Sequence, residues 1–220
     1  MFAKFFSYFI PINVITKNSS VSKSLEVTWN NGELVLDSKN TNYSYGSLQR
    51  ILRKGLKYIG FERIKEFENI LVLGVAGASV IKTLVDEIKF KGKITGVEID
   101  SNIIEIANKY FKINEIKNLE IIIDDAFEYV LKTKTKYDLI IIDIFQDTKM
   151  PNFLFEDYFI NRINFILNKN GFILFNTMII NEKDRIRNLD YKKKFDDNYS
   201  LRMYPKVEEH NELFTIKKLI

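Results

Sequence analysis

Four short stretches of the chain hold residue types able to do chemistry. Leu73-Gly-Val-Ala-Gly-Ala-Ser79 is a run of small residues. Such a run lets backbone approach a ligand closely and leaves free N–H groups at the start of a following helix. A tight turn with no ligand has the same composition, and Gly74, Ala76 and Gly77 are its candidates for cofactor contact. Glu98 follows about twenty residues on, a spacing at which a carboxylate accepts hydrogen bonds from ribose hydroxyls. Alone it would be a strand-end acid; with the turn it favours a bound nucleotide. Asp124-Asp125-Ala126 offers a carboxylate to an adenine amino group or an N-cap to a helix, and the two neighbours can divide these roles. Asp143, and Asp147 four residues later, can orient or deprotonate an amine, or can cap their loop through Asx turns.

The elements that must position these residues follow from hydrophobic pattern. Apolar runs at Ile70–Leu73, Lys93–Ile99, Leu119–Ile123, Tyr137–Asp143 and Phe172–Phe175 read as strands. Helical spacing separates them at Ser79–Ile88, Asn102–Phe111, Ala126–Leu131 and Phe155–Leu167, and recurs at Glu182–Lys193. Continuous apolar strands alternating with helices predict a parallel sheet covered on both faces, with ligands outside the carboxyl ends of the strands. Two closing strands, Tyr199–Tyr204 and Glu212–Ile216, have only Pro205–Asn211 between them, so they pair antiparallel. The expected fold class is α/β, a seven-stranded mostly parallel sheet. Before it, Ser24–Trp29 and Glu33–Asp37 flank Asn30-Asn-Gly32, a hairpin signal, and Ser47–Ile59 has helical spacing up to a stop at Gly60. Residues 1–60 are expected to form a helix, hairpin and gate helix, and residues 61–220 the nucleotide-binding domain.

Composition narrows the function. With no cysteine there is no disulfide, thiolate nucleophile or cysteine metal site. His210, the one histidine, rules out a multi-histidine centre; a carboxylate-based site stays open, and the expectation is no metal. The absence of cysteine fits a reducing cytoplasm, the expected location. The lysines of 132–136 and 192–194 read as solvated faces rather than a nucleic-acid footprint, since the net charge of +4 is spread along the chain. Met1–Pro11 is apolar but too short to span a bilayer, and no small-residue cleavage site follows it. A short amphipathic helix packed on the domain, or on a second subunit of a homodimer, is expected there.

Residues 69–177 resemble the spermidine synthase family and, more broadly, the class I methyltransferase (Rossmann-like) fold. The matching pieces are Val72-Leu-Gly-Val-Ala-Gly-Ala-Ser79, Val97-Glu-Ile-Asp100, Ile123-Asp-Asp-Ala126, Tyr137-Asp-Leu-Ile-Ile-Ile-Asp143 and Asn168-Lys-Asn-Gly-Phe-Ile-Leu174. The early hairpin and Tyr43-Ser-Tyr45 look like a shortened form of that family's N-terminal β domain. The resemblance makes Glu98 the ribose acid, Asp125 with Ala126 the adenine side, and Asp143 the acid that activates an amine. Asp147 adds a second charge for the cation, and Tyr45 closes over the site. It also implies S-adenosylmethionine, or its decarboxylated form, as the bound nucleoside.

The departures from the family lie on the amine side. The family's Asp inside the turn is replaced by Gly77 or Ala78, its Tyr-His-Glu gate element reads Tyr45-Gly-Ser47, and its Asp-x-x-Asp-Pro loop is respaced as Asp143-Ile-Phe-Gln-Asp147. Without the turn Asp, nothing there repels the carboxylate of intact S-adenosylmethionine. Methyl transfer to a small amine or similar nucleophile is therefore the first expectation. Divergent aminopropyl transfer is the second, and a non-enzymatic binding module the third.

Overall fold

The computed structural model describes residues 2–19, 21, 23–38, 42–44, 47–146 and 149–220. The chain opens with α1 (Phe2–Phe6) and a four-stranded antiparallel sheet in the order β1 (Ile12–Ser19), β2 (Lys23–Asn30), β3 (Glu33–Ser38), β4 (Asn42–Ser44). The expected hairpin is its centre: Asn31 and Gly32 both take positive φ, and Asn30 faces Glu33 across the turn. β1 was not expected. A register shift between Asn13 and Ile15 breaks its two-residue alternation, so the apolar pattern of a strand is blurred. α1 is shorter than expected and buries none of its residues. The segment is fastened by Ser7, whose carbonyl and hydroxyl accept from the N–H groups of Asn31 and Gly32, both at 3.0 Å.

Two helices, α2 (Ser47–Ile59) and α3 (Phe61–Lys65), lead into the main sheet. Its strands are β5 (Asn69–Leu73), β6 (Lys93–Glu98), β7 (Leu119–Ile123), β8 (Tyr137–Ile142), β9 (Leu167–Met178), β10 (Tyr199–Tyr204) and β11 (Asn211–Lys218). They lie in the order β10-β11-β9-β8-β5-β6-β7. Pairs from β7 to β9 are parallel, while β11 runs antiparallel to both β9 and β10, as the short final loop requires. The connecting helices are α4 (Ser79–Lys82), which continues into a π turn at Thr83–Glu87, α5 (Ser101–Phe111), α6 (Ala126–Lys132), α7 (Asp157–Ile166) and α8 (Glu182–Lys192). β9 is longer than its apolar run because Asn170, at positive φ, and Gly171 form an irregularity inside the strand rather than a turn before it.

The sheet carries a core on each face. Ile70, Val72, Leu139, Ile141 and Leu174 pack on one side under α2, α4 and α5, in a cluster that also takes in Leu25, Val27 and Leu36 of the small sheet. Leu71, Leu73, Ile140, Ile142 and Phe175 pack on the other, with Phe159 and Ile163 of α7 and Tyr191 of α8. Two polar contacts fix the small sheet to α5: Ser19 Oγ donates to Asp100 Oδ2, and Lys17 pairs with Glu105, each at 2.5 Å.

α2 lies close on the sheet because residue 55 is glycine. A Cβ there would stand 2.4 Å from Leu174 Cδ1. Gly55→Val is expected to lower stability by about 1–3 kcal/mol through overpacking. Urea denaturation should show this as a lower midpoint with unchanged slope.

Candidate active site

The carboxyl ends of β5, β6 and β8 converge on one crevice. Gly74 N donates to Val97 O at 3.0 Å, and Asp143 N donates to Leu73 O at 2.9 Å, so the turn after β5 is tied to both neighbours. Gly74 has φ +89°, and a Cβ on it would stand 2.2 Å from Asp143 O. Both facts require glycine at that position. Ala76 and Ala78 also sit at positive φ, +47° and +63°, which costs each about 1 kcal/mol relative to glycine. Gly77 is buried between them.

Glu98 is 7% exposed at the end of β6 and turns into this crevice. Its Oε2 accepts from Val75 N and Ala76 N, and its Oε1 from Asp100 N, all at 3.1 Å. Burial raises its pKa, and these three amides oppose the rise. A carboxylate has about four acceptor positions. Three are taken, which leaves one open position on Oε1. The three bonds hold the turn in shape.

At the end of β7, Asp125 caps α6: its Oδ1 accepts from Phe127 N at 2.7 Å. Asp124 Oδ1 accepts from Asp125 N at 2.9 Å, and Asp124 N donates to Glu98 O at 3.1 Å. The capping role thus falls to Asp125. Its second oxygen has no partner among the described residues and stands beside Ala126, the first residue of α6. Ile99, 47% exposed, leaves apolar surface at the end of β6.

Asp143 lies just past β8, and Asn176 of β9 donates from Nδ2 to its Oδ1 at 2.9 Å. Asn211 of β11 in turn donates to Asn176 Oδ1 at 3.0 Å. Asp143 is pushed up to about 6 by burial, against the Asn176 hydrogen bond, with a smaller contribution from the charge of Glu98. Sequence reasoning missed both asparagines. The available signal was a polar residue directly after the apolar run Phe172–Phe175. Gly74, Ala76, Gly77, Glu98, Asp125, Ala126 and Asp143 thus stand at the carboxyl ends of neighbouring strands β5 to β8. Tyr45 and Asp147 lie outside the described residues. Among the described residues no group of three or more His, Cys, Asp or Glu side chains could hold a metal ion.

Comparison with known proteins places this geometry in context. The family model described as "Spermine/spermidine synthase domain" matches residues 50–215. A polyamine aminopropyltransferase of Prochlorococcus marinus (strain MIT 9312) is 36% identical over 118 residues, which is 50% of this chain and 41% of that protein. The match thus spans about two fifths of that relative's length. A spermidine synthase solved in complex with the transition-state analogue AdoDATO superposes with a TM-score of 0.75 at 17% identity, covering 94% of this chain and 73% of the other. Human methyltransferase-like protein 13 in complex with SAH superposes with a TM-score of 0.66 at 21% identity, covering 80% of this chain and 83% of the other.

The raised pKa of Asp143 makes a prediction about stability. A folded-state value of about 6 against 3.8 means that the folded protein holds this proton more tightly than the unfolded chain. That contribution is full below pH 3.8 and is lost as pH rises through 6. Asp143→Asn keeps the shape and an acceptor for Asn176 but removes the charge. Relative to wild type it should gain about 2 kcal/mol more at pH 8 than at pH 4.5. Asp37, also raised to about 6, is common to both proteins and cancels. An equal difference at the two pH values, measured by denaturant titration, would contradict the assignment.

Proposed function

The chain belongs to the spermine/spermidine synthase domain family, and on that premise we propose that it transfers an aminopropyl group from decarboxylated S-adenosylmethionine to a small amine. The observation that carries this reading is the placement of Asp143, set beside the Gly74 turn at the end of β8 and held there by the hydrogen bond from Asn176. The negative charge of Asp143 favours a cationic acceptor amine over a neutral or anionic one.

In this reading the turn from Gly74 to Gly77 lets the nucleoside approach the backbone. Glu98 Oε1 takes a ribose hydroxyl, the free oxygen of Asp125 takes the adenine amino group, and Ala126 leaves room for the base. The donor's sulfonium would supply an activated carbon and a good leaving group. The protein's remaining task is to place an amine and remove a proton from it. Asp143 suits that task because Asn176 and Asn211 hold it from the sheet rather than from a mobile loop. With a value near 6 it is mostly ionised at neutral pH, ready to accept a proton, and a bound cation would lower it further. Asp147 adds a second negative charge for the amine, and Tyr45 closes the site from residues 1–60, which act as a gate on the transferase portion, 61–220.

Methyl transfer from intact S-adenosylmethionine is the second reading. It is favoured by one observation, the absence of an acid at Gly77-Ala78. The family and its aminopropyltransferase relatives support the first reading over it.

Calorimetry with decarboxylated S-adenosylmethionine, the intact form and methylthioadenosine separates these cases. The decarboxylated form should bind tightest, and Glu98→Gln should weaken it by about 1.5–3 kcal/mol through loss of charge-assisted bonds. Tighter binding of the intact form would favour methyl transfer. No binding of any of the three would favour a module without this chemistry.

A further inference from the structure

Away from the crevice, a cavity of about 380 Å³ opens against the β10 edge of the main sheet, opposite the edge formed by β7. Three cations line it: Arg63 of α3, Arg202 of β10 and Lys217 of β11. No carboxylate does. Of the arginines elsewhere, Arg50, Arg53, Arg185 and Arg187 each pair with a glutamate or aspartate, and Arg162 donates to the carbonyls of Val130, Leu131 and Thr133. Arg63, Arg202 and Lys217 have no acidic partner among the described residues.

The strands bring these cations together. Arg202 faces Thr215 and Ser200 faces Lys217 across the antiparallel pair, so Arg202 and Lys217 are diagonal neighbours on one face of the sheet. Lys217 in turn faces Phe172 of β9. The Arg63 guanidinium lies 5.3 Å from the centroid of the Phe172 ring and the Lys217 ammonium 5.9 Å from it, so both flank the same ring. Arg63 is held in place by a hydrogen bond from Nη1 to Ile59 O at 3.1 Å. The stacked rings of Tyr58 and Tyr204, 3.9 Å apart, form part of the wall.

Like charges gathered in a recess repel one another unless an anion sits between them. Guanidinium forks match the oxygens of phosphate, and the hydroxyls of Ser200 and Thr215 add donors to the same walls. The volume lies within the range of small-molecule sites. We propose that this cavity is a second binding site, separate from the nucleoside crevice, for a small multiply charged phosphate compound of the diphosphate or phosphate-ester class.

The site is separate in position as well as chemistry. Phe172 is level with Leu139 on β8, and through it with Ile70, the second residue of β5. Phe172 therefore lies about 10 Å down the sheet from Leu73, where the crevice begins, and Arg202, level with Val72, stands four strands across from β5, about 19 Å away. Occupancy of the two sites can be read independently.

Inorganic pyrophosphate is the probe, titrated calorimetrically into the full chain at low ionic strength. One saturable site is expected. Arg202→Ala should weaken it about tenfold, and Lys217→Gln should do the same, as for loss of a charged donor. Arg50→Ala, which removes a cation outside the cavity, should leave it unchanged. Circular dichroism melts of each variant report folding, and two variants in different strands keep the test valid if one fails to fold. Retained affinity for decarboxylated S-adenosylmethionine in Arg202→Ala would show that the crevice is intact. Absence of saturable binding would overturn the proposal. So would equal weakening by Arg50→Ala, because it would mean that pyrophosphate senses only the net charge of the surface.

Discussion

The carboxylate of Glu98, received by the amides of Val75, Ala76 and Asp100, is the contact on which the crevice depends. Burying a charged carboxylate costs several kcal/mol unless hydrogen bonds replace its water. Three backbone donors do so here, and the result joins the end of β6 to the turn after β5. Gly74 closes the other side by admitting the Asp143 carbonyl where a side chain would collide. The floor of the crevice is therefore set by backbone at the ends of three neighbouring strands. The side chains at these strand ends are carried on elements that cannot move independently.

From this closure follows the character of Asp143. It is placed by β8, oriented by Asn176 from β9, and Asn176 is oriented by Asn211 from β11. The antiparallel insertion of β11 thus has a use beyond topology, since it brings the N-terminal end of that strand to the same edge as the carboxyl ends of its neighbours. The same insertion places Thr215 and Lys217 beside Arg202, farther along the sheet. One strand contributes to the crevice at one end and to the cationic cavity at the other.

Much of this was legible in the sequence, for physical reasons. β5, β6 and β8 are buried on both faces, so their apolar runs mark them out. The turn, Glu98 and Asp143 could be placed because they stand at the ends of those runs. β1 and the first half of β9 were not legible, because a bulge in each breaks the two-residue period on which strand reading rests. The bonds that Glu98 makes to the turn were also hidden, since a sequence shows which groups are near but not which lone pairs are spent. Asn176 and Asn211, and likewise Arg63, Arg202 and Lys217, are far apart in the chain and meet only through strand order. Nothing local in the sequence announces such pairs.

The proposed transfer depends on Asp143 taking a proton from the amine. Mass spectrometry of the products formed from decarboxylated S-adenosylmethionine and a diamine at pH 8 tests this most directly, with wild type and Asp143→Asn compared. A product enlarged by one aminopropyl group is expected, with a loss of about a hundredfold or more in kcat for Asp143→Asn while affinity for the nucleoside is kept. A methylated amine formed only from intact S-adenosylmethionine, or full aminopropyl transfer by Asp143→Asn, would contradict it.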